Sequence, residues 1–279
     1  MLKKIFLSVL VIFILPQLSF AYSEKNEDIN MTRIDICKKN YTQLFGGEAL
    51  STEGSDAEFM AILQKYIFGD VFTIGNLDNK TREMLTVVSL ATQQTMPQLN
   101  AHINAALNVG VKPIEIREAL YSLAPFIGFP KTLNAVSVMN DVFKNRGIKL
   151  PLDNAETVSE DSRYQKGFDI QNPLYGDEIK VALSDLPDNI GDDVADLLTS
   201  VCFGDFYTRK GLDVKTRELL AVSILISNGN FDVLRSHIKG NLKAGNSSET
   251  IAAAIVQVMP YVGFPRAIQA LKILKEVSK

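Results

Sequence analysis

Tryptophan is absent from the chain, and histidine and cysteine occur only twice each. Phenylalanine and tyrosine carry the aromatic load. With two histidines and no CxxC, the sequence has no ligand set for a structural zinc site. The cysteines, Cys37 and Cys202, either pair with each other in an oxidising compartment or stand as two buried, inert thiols. A basic stripe is also missing: net charge is −3, with no run of Lys and Arg, which leaves nucleic-acid binding without an electrostatic footprint. No stretch alternates convincingly with period two, so strands are not expected. Beyond the first residues, no segment is long and apolar enough to span a bilayer.

What is present begins with a leader. "MLKK" is a basic n-region, "IFLSVLVIFIL" an apolar h-region, and "SFA" supplies small residues at Ser19 and Ala21. This pattern predicts a cleavable signal peptide over residues 1–21 and a mature chain starting near Tyr22. The alternative is a single membrane anchor, but the run is short for a span of ~20 residues and Pro16 interrupts it. No cysteine follows the cleavage site, which argues against a lipoprotein. Loss of Lys3 and Lys4 with the leader takes the net charge to −5. The expected location is secreted or periplasmic, with no membrane association after cleavage.

The remaining chain, 46% hydrophobic and 22% charged, can bury a sizeable core. It is written twice. Shifted by 135 positions, Gly69–Ala135 overlays Gly204–Ala270 without a gap, and about a third of the positions are identical. "FGDVFT" meets "FGDFYT", "LDNKTREMLTV" meets "LDVKTRELLAV", "LNAHINAALNVG" meets "LRSHIKGNLKAG", and "PFIGFPKTLNA" meets "PYVGFPRAIQA".

Each copy reads as helices, giving an all-α tandem helical repeat. Asp78 and Asp213 are expected N-caps. A polar break follows, "TQQT" or "SNGN". In the first copy "TMPQ" resembles a capping box on Thr95 with Pro97 in the first turn and Gln98 at the third position; Asn230 takes the cap in the second. These helices should end at Gly110 and Gly245. Another should run from near Pro113 or Ser247 to the "GFP" motif, where the last begins. The expected division is a mobile N-terminal segment at 22–33, a first repeat at 34–147, a linker and lead-in at 148–175, and a second repeat at 176–279.

The two histidines, His102 and His237, occupy the same place in the repeat, each 19 residues after a glutamate, Glu83 and Glu218. A helical hairpin would bring each pair face to face. A carboxylate beside an imidazole fixes its tautomer and makes an acid–base pair suited to neutral pH. The competing reading is structural, with His and Glu satisfied in the core and Arg82–Glu83 and Arg217–Glu218 locking the hairpin.

The ensemble "LDxKTREL", a His nineteen residues after the Glu, "AG" or "VG", then "P(F/Y)xGFP" resembles the carboxymuconolactone decarboxylase family. That family shares its helical bundle with the alkylhydroperoxidase D-like proteins. The resemblance covers Phe68–Val136 and Phe203–Leu271. It implies a cofactor-free lyase acting on a small lactone or organic acid. His102 and His237 would be proton donors, Glu83 and Glu218 their orienting carboxylates, and Arg82 and Arg217 candidates for holding the substrate anion. No metal is implied. The family's peroxidase branch carries a CxxC at the start of the His helix, where the helix N-terminus stabilises a thiolate. The matching positions here are Thr95 and Gln98, and Asn230 and Val233, without a thiol, which disfavours an antioxidant peroxidase. A non-catalytic oligomeric scaffold or binding protein is the other alternative. Single-repeat members form closed rings, so the resemblance also implies a homo-oligomer, with a trimer of two-repeat chains favoured. The family's aromatic-degradation role is cytoplasmic, whereas this chain carries an export signal, which puts the particular substrate in doubt.

Overall fold

The structure, a computed structural model, describes residues 31–279. The expected signal peptide and most of the expected mobile segment, up to residue 30, lie outside the described residues. Among those described, every regular element is helical, as the absence of period-two patterning requires.

The first unit opens with α1 (Arg33–Phe45), capped by Thr32 and Asp35 in a reciprocal capping box. α2 (Ala57–Gln64) runs on as a π-helical stretch, Lys65–Asp70. The repeated core follows: α3 (Asn79–Thr92), α4 (Met96–Asn108), α5 (Pro113–Tyr121), the short α6 (Ala124–Ile127) and α7 (Phe129–Asn145). The second unit repeats this plan with α8 (Arg163–Tyr175), α9 (Glu178–Ala182), α10 (Ile190–Leu197) with its π extension Leu198–Tyr207, α11 (Val214–Asn228), α12 (Phe231–Lys243), α13 (Ser248–Val262) and α14 (Phe264–Val277). The segment 148–175 therefore contains a full helix equivalent to α1.

Asp78 and Asp213 cap α3 and α11 as expected: each Oδ1 accepts the backbone N–H three residues on, Thr81 and Thr216, at 2.8 Å. The box on Thr95 does not form. The Thr95 hydroxyl donates back to the Leu90 carbonyl at 3.2 Å, because the chain turns through Gln94 at φ 60 and brings the two together. Asn230 does cap α12, accepting from Val233 N–H at 3.3 Å. The helix after Pro113 is not continuous in the first copy. It breaks at Ser122, whose hydroxyl donates to the Glu118 carbonyl and accepts from Arg217, whereas its counterpart α13 runs unbroken through Pro260.

α3 and α11 lie against each other and against α13 at the centre. From Arg82 to Thr92, and from Arg217 to Ser227, every residue is buried, so neither helix has a solvent face. One apolar cluster joins both repeats through Leu85, Val88, Leu220 and Ile224, each side chain contributing roughly 1.5–3 kcal/mol on burial. Ser89 and Ser227 hydrogen-bond across the seam at 2.8 Å. Two satellite clusters sit outside this core. One holds Cys37 and the other Cys202, so the cysteines are free, buried and separate, and the pairing alternative is not realised.

Candidate active site

The repeated octet divides its polar residues between three tasks. Asp and Thr make the cap. The arginine and the glutamate turn inward in opposite roles.

The arginines tie the repeats together. Arg82, 2% exposed, donates to Gln257 Oε1 at 2.8 Å and to the carbonyls of Leu77, Phe72, Ile74 and Gly75 at 3.1–3.3 Å. Arg217 donates to Ser122 Oγ at 2.8 Å, the Arg209 carbonyl at 3.0 Å and Glu118 at 3.3 Å. Gln257 and Ser122 are equivalent positions of opposite repeats, so each guanidinium reaches across to the other copy. The sequence reading offered both as holders of a substrate anion. In the structure the guanidinium groups donate to backbone carbonyls and to partners across the seam, with Arg217 Nε left without a partner, and neither arginine lines the cavity at His102. An arginine buried behind α3 meets carbonyls that would otherwise lack donors, which is why that role prevails.

The glutamates face the histidines. The α3–α4 hairpin sets His102 Nδ1 2.8 Å from Glu83 Oε2, and α11–α12 sets His237 Nδ1 3.2 Å from Glu218 Oε2. Both carboxylates are fully buried. Each imidazole also receives an aromatic ring from the other repeat. Tyr261 packs edge-on to His102 at 5.6 Å, and its counterpart Phe126 lies 5.4 Å from His237. Each site is thus completed by both repeats.

Beyond these shared features the sites diverge. At Glu218 both oxygens are taken: Tyr207 Oη donates to Oε1 at 2.9 Å and Tyr175 Oη to Oε2 at 2.6 Å. Tyr175 Oη also lies 2.8 Å from His237 Nδ1. It reaches this position over Gly240, where a Cβ would stand 2.5 Å from the hydroxyl. Burial and the neighbouring Glu218 push both phenols well above their ordinary range, so they remain donors. In the first repeat the equivalent places hold Phe45 and Phe72. Phe45 packs on His102 at 5.5 Å with no hydroxyl to offer, and Glu83 Oε1 has no hydrogen-bond partner.

A cavity of about 520 Å³ opens beside His102. α2 contributes Phe59, Ile62 and Leu63, α4 contributes Gln98 and Ala101, and the second repeat contributes Tyr261. Tyr66 and Tyr261 line its wall, and their hydroxyls are buried, that of Tyr66 without a partner and that of Tyr261 beside Thr86. Burial raises both phenols, so they are donors at neutral pH. With Nδ1 held by Glu83, Nε2 is the nitrogen that His102 can offer to a molecule in this space.

The profile of the carboxymuconolactone decarboxylase family matches the chain twice, over residues 57–141 and 192–276. The chain belongs to the carboxymuconolactone decarboxylase family. It is similar to 4-carboxymuconolactone decarboxylase of Acinetobacter baylyi, 24% identical over 123 residues that span 44% of this chain and 91% of that protein. It is also similar to nitrosuccinic acid decarboxylase of Metarhizium robertsii, 31% identical over 94 residues, 32% of this chain and 66% of that protein. A crystal structure from Burkholderia xenovorans LB400, assigned there as a gamma-carboxymuconolactone decarboxylase subunit, shares the fold with a TM-score of 0.50 at 20% identity, covering 87% of this chain and 96% of that one.

Within this family fold, the positions of a thiol pair hold Thr95 and Gln98, with Gln98 lining the cavity, and Asn230 and Val233. The cysteines lie elsewhere: burial pushes Cys202 up to about 12 and raises Cys37, so neither is a thiolate at neutral pH. Among the described residues no three side chains are grouped as metal ligands. The tyrosines were not singled out from the sequence. The signal was present in the overlay, as Tyr207 against Phe72 in "FGDFYT" and "FGDVFT" and Tyr261 against Phe126 in "PYVGFP" and "PFIGFP".

Proposed function

We propose that this protein is a cofactor-free enzyme of proton transfer at carbon, acting as a lyase or decarboxylase on a small lactone or organic acid. The observation that carries the reading is the His102–Glu83 pair, 2.8 Å apart beside a cavity, with a buried carboxylate oxygen left unpartnered. His102 is the acid–base group and Glu83 its positioning residue, fixing which ring nitrogen carries the proton. The side-chain amide of Gln98, which lines the cavity, is suited to donate to an oxyanion as electrons move onto a substrate carbonyl. The names of the relatives, both decarboxylases acting on acids, support the reaction class.

The second repeat serves as a structural copy in this reading. Tyr175 and Tyr207 saturate Glu218, and Tyr175 fills the space that a ligand would need beside His237. A screen of unsaturated lactones and lactone acids, following CO2 release and solvent-deuterium incorporation, tests the assignment. The expected result is a loss of about 10²–10⁴-fold in turnover for His102→Gln and near wild-type turnover for His237→Gln. Equal turnover in wild type and both variants refutes the enzyme reading and leaves the scaffold. The leader and the equivalent apolar faces of the two repeats support an exported homo-oligomer, with three chains making a six-unit ring.

A further inference from the structure

We infer that the His102 cavity takes an organic acid with a flat, aromatic or similarly unsaturated body, its oxygen-bearing end at Gln98 and His102 and its body among the rings behind them. This rests on the proposed proton-transfer role of His102 and narrows the class of acid.

The cavity has two unlike sides. On one, Gln98, Ala101 and His102 recur at spacings of three and four residues, which sets them on one face of α4. Gln98 and Ala101 are exposed and His102 is buried, so this edge runs from the open mouth inward to the imidazole. An acid head laid along it meets the Gln98 amide as a donor and reaches His102 Nε2. It also keeps water at the mouth, so its charge is not stripped of solvent and needs no lysine or arginine. The start of α4 adds partial positive charge to the same edge: Thr95 turns its hydroxyl to the Leu90 carbonyl and leaves the first turn without a side-chain cap.

The other side is carbon. α1 brings Tyr41 and Phe45, the π-helical stretch brings Phe68, and the second repeat brings Tyr261. Phe45 and Tyr261 stand nearly perpendicular to the His102 ring, at 85° and 90°, and Phe45 meets Phe68 at 74°. A flat ligand extends such an edge-to-face cluster favourably. Tyr66 and Tyr261 present ring carbon to the space, since their hydroxyls are buried, and Gln64 is held by the Leu50 N–H at 2.6 Å. α2 prolongs the apolar side to the mouth, with Phe59 65% and Ile62 62% exposed. The volume of about 520 Å³ lies within the ~300–1,000 Å³ of pockets that enclose drug-sized ligands, and a compact aliphatic acid would leave most of this wall uncovered. The second repeat lacks the combination: its counterparts of Phe59, Tyr66 and Gln98 are Val194, Val201 and Val233.

Trans-cinnamate and crotonate carry the same unsaturated acid head, on a phenyl ring and on a methyl group. Titration calorimetry of both on the full chain at pH 7.5 tests the body. Cinnamate is expected to bind at least tenfold more tightly than crotonate, and to be weakened at least fivefold by Ala101→Phe, which fills the space. Gln98→Glu, which sets a like charge beside the acid head, is expected to weaken cinnamate at least fivefold and cinnamyl alcohol less than twofold. Thermal melting checks that each variant is folded, and the comparison of the two acids needs no variant. Equal affinity for the two acids, no measurable binding of cinnamate, indifference to Ala101→Phe, or equal effects of Gln98→Glu on acid and alcohol overturns the inference. Binding is read without turnover and is expected to persist in His102→Gln, so its failure is distinguishable from failure of the proton-transfer reading.

Discussion

At the scale of single residues, two aromatic pairs decide how two equivalent sites differ. Tyr207 and Tyr175 give Glu218 donors for both oxygens, while Phe72 and Phe45 give Glu83 none. Leaving a buried carboxylate oxygen without a donor costs about 1–3 kcal/mol. Tyr207→Phe should therefore lower stability by about 1–3 kcal/mol, read as a shift of the urea midpoint. Phe72→Tyr places a hydroxyl where Tyr207 has one, and should raise the midpoint while lowering turnover at His102, because it makes the first site resemble the second. An unchanged midpoint in both variants would contradict the hydrogen-bond account.

At the scale of elements, the helix starts carry definite local energies. Asp213 holds Thr216 N–H at the start of α11, and hydrogen bonding from the Thr216 hydroxyl, with a smaller part from its backbone N–H, keeps the Asp213 carboxyl below the usual range. A carboxyl with a depressed folded value stabilises the protein above its unfolded value of about 4, and that contribution is lost as pH falls through the folded value. Asp213→Ala should cost about 1 kcal/mol at pH 7. The difference from Asp213→Asn should shrink between pH 5 and pH 2, followed by chemical denaturation. A gap that widened on acidification would mean the charged form is not the one the fold favours. The π-helical stretches Lys65–Asp70 and Leu198–Tyr207 recur in both lead-ins, just ahead of the arginine clamps. Each places an aromatic residue, Phe68 or Phe203, against the ring that packs on the site histidine.

At the scale of the whole molecule, the reciprocal clamps Arg82–Gln257 and Arg217–Ser122 make the two repeats one core. Equivalent apolar residues nevertheless remain exposed on both, Phe129 and Leu133 in the first and Phe264 and Ile268 in the second. A closed ring of three chains would cover these faces symmetrically. Light scattering of the mature chain should give about three chain masses; a single chain mass at micromolar concentration sinks the ring. No described helix is long and apolar enough to cross a membrane. Export predicts an N-terminus near Tyr22 in protein recovered from the native cell, and intact mass that retains Met1 would exclude cleavage.

The tandem repeat, the helical class, the caps at Asp78 and Asp213 and the two Glu–His pairs were all legible in the sequence. They depend on periods, cap chemistry and spacings of one or two helix turns, which the chain writes locally. The box on Thr95 was misread because a turn at Gln94 redirected its hydroxyl to Leu90. The direction of Arg82 and Arg217 could not be read, since adjacent helical residues lie ~100° apart and only the packing of the other repeat selects which faces a cavity. The difference between the two sites was likewise decided in three dimensions. Phe45 and Tyr175 belong to lead-in helices outside the ungapped overlay, and only the fold carries their rings onto the histidines. Sequence determined that there would be two Glu–His pairs; tertiary contact decided which carboxylate would be left with a free oxygen beside an open cavity, because a buried polar atom takes its partners from whatever the rest of the chain brings within reach.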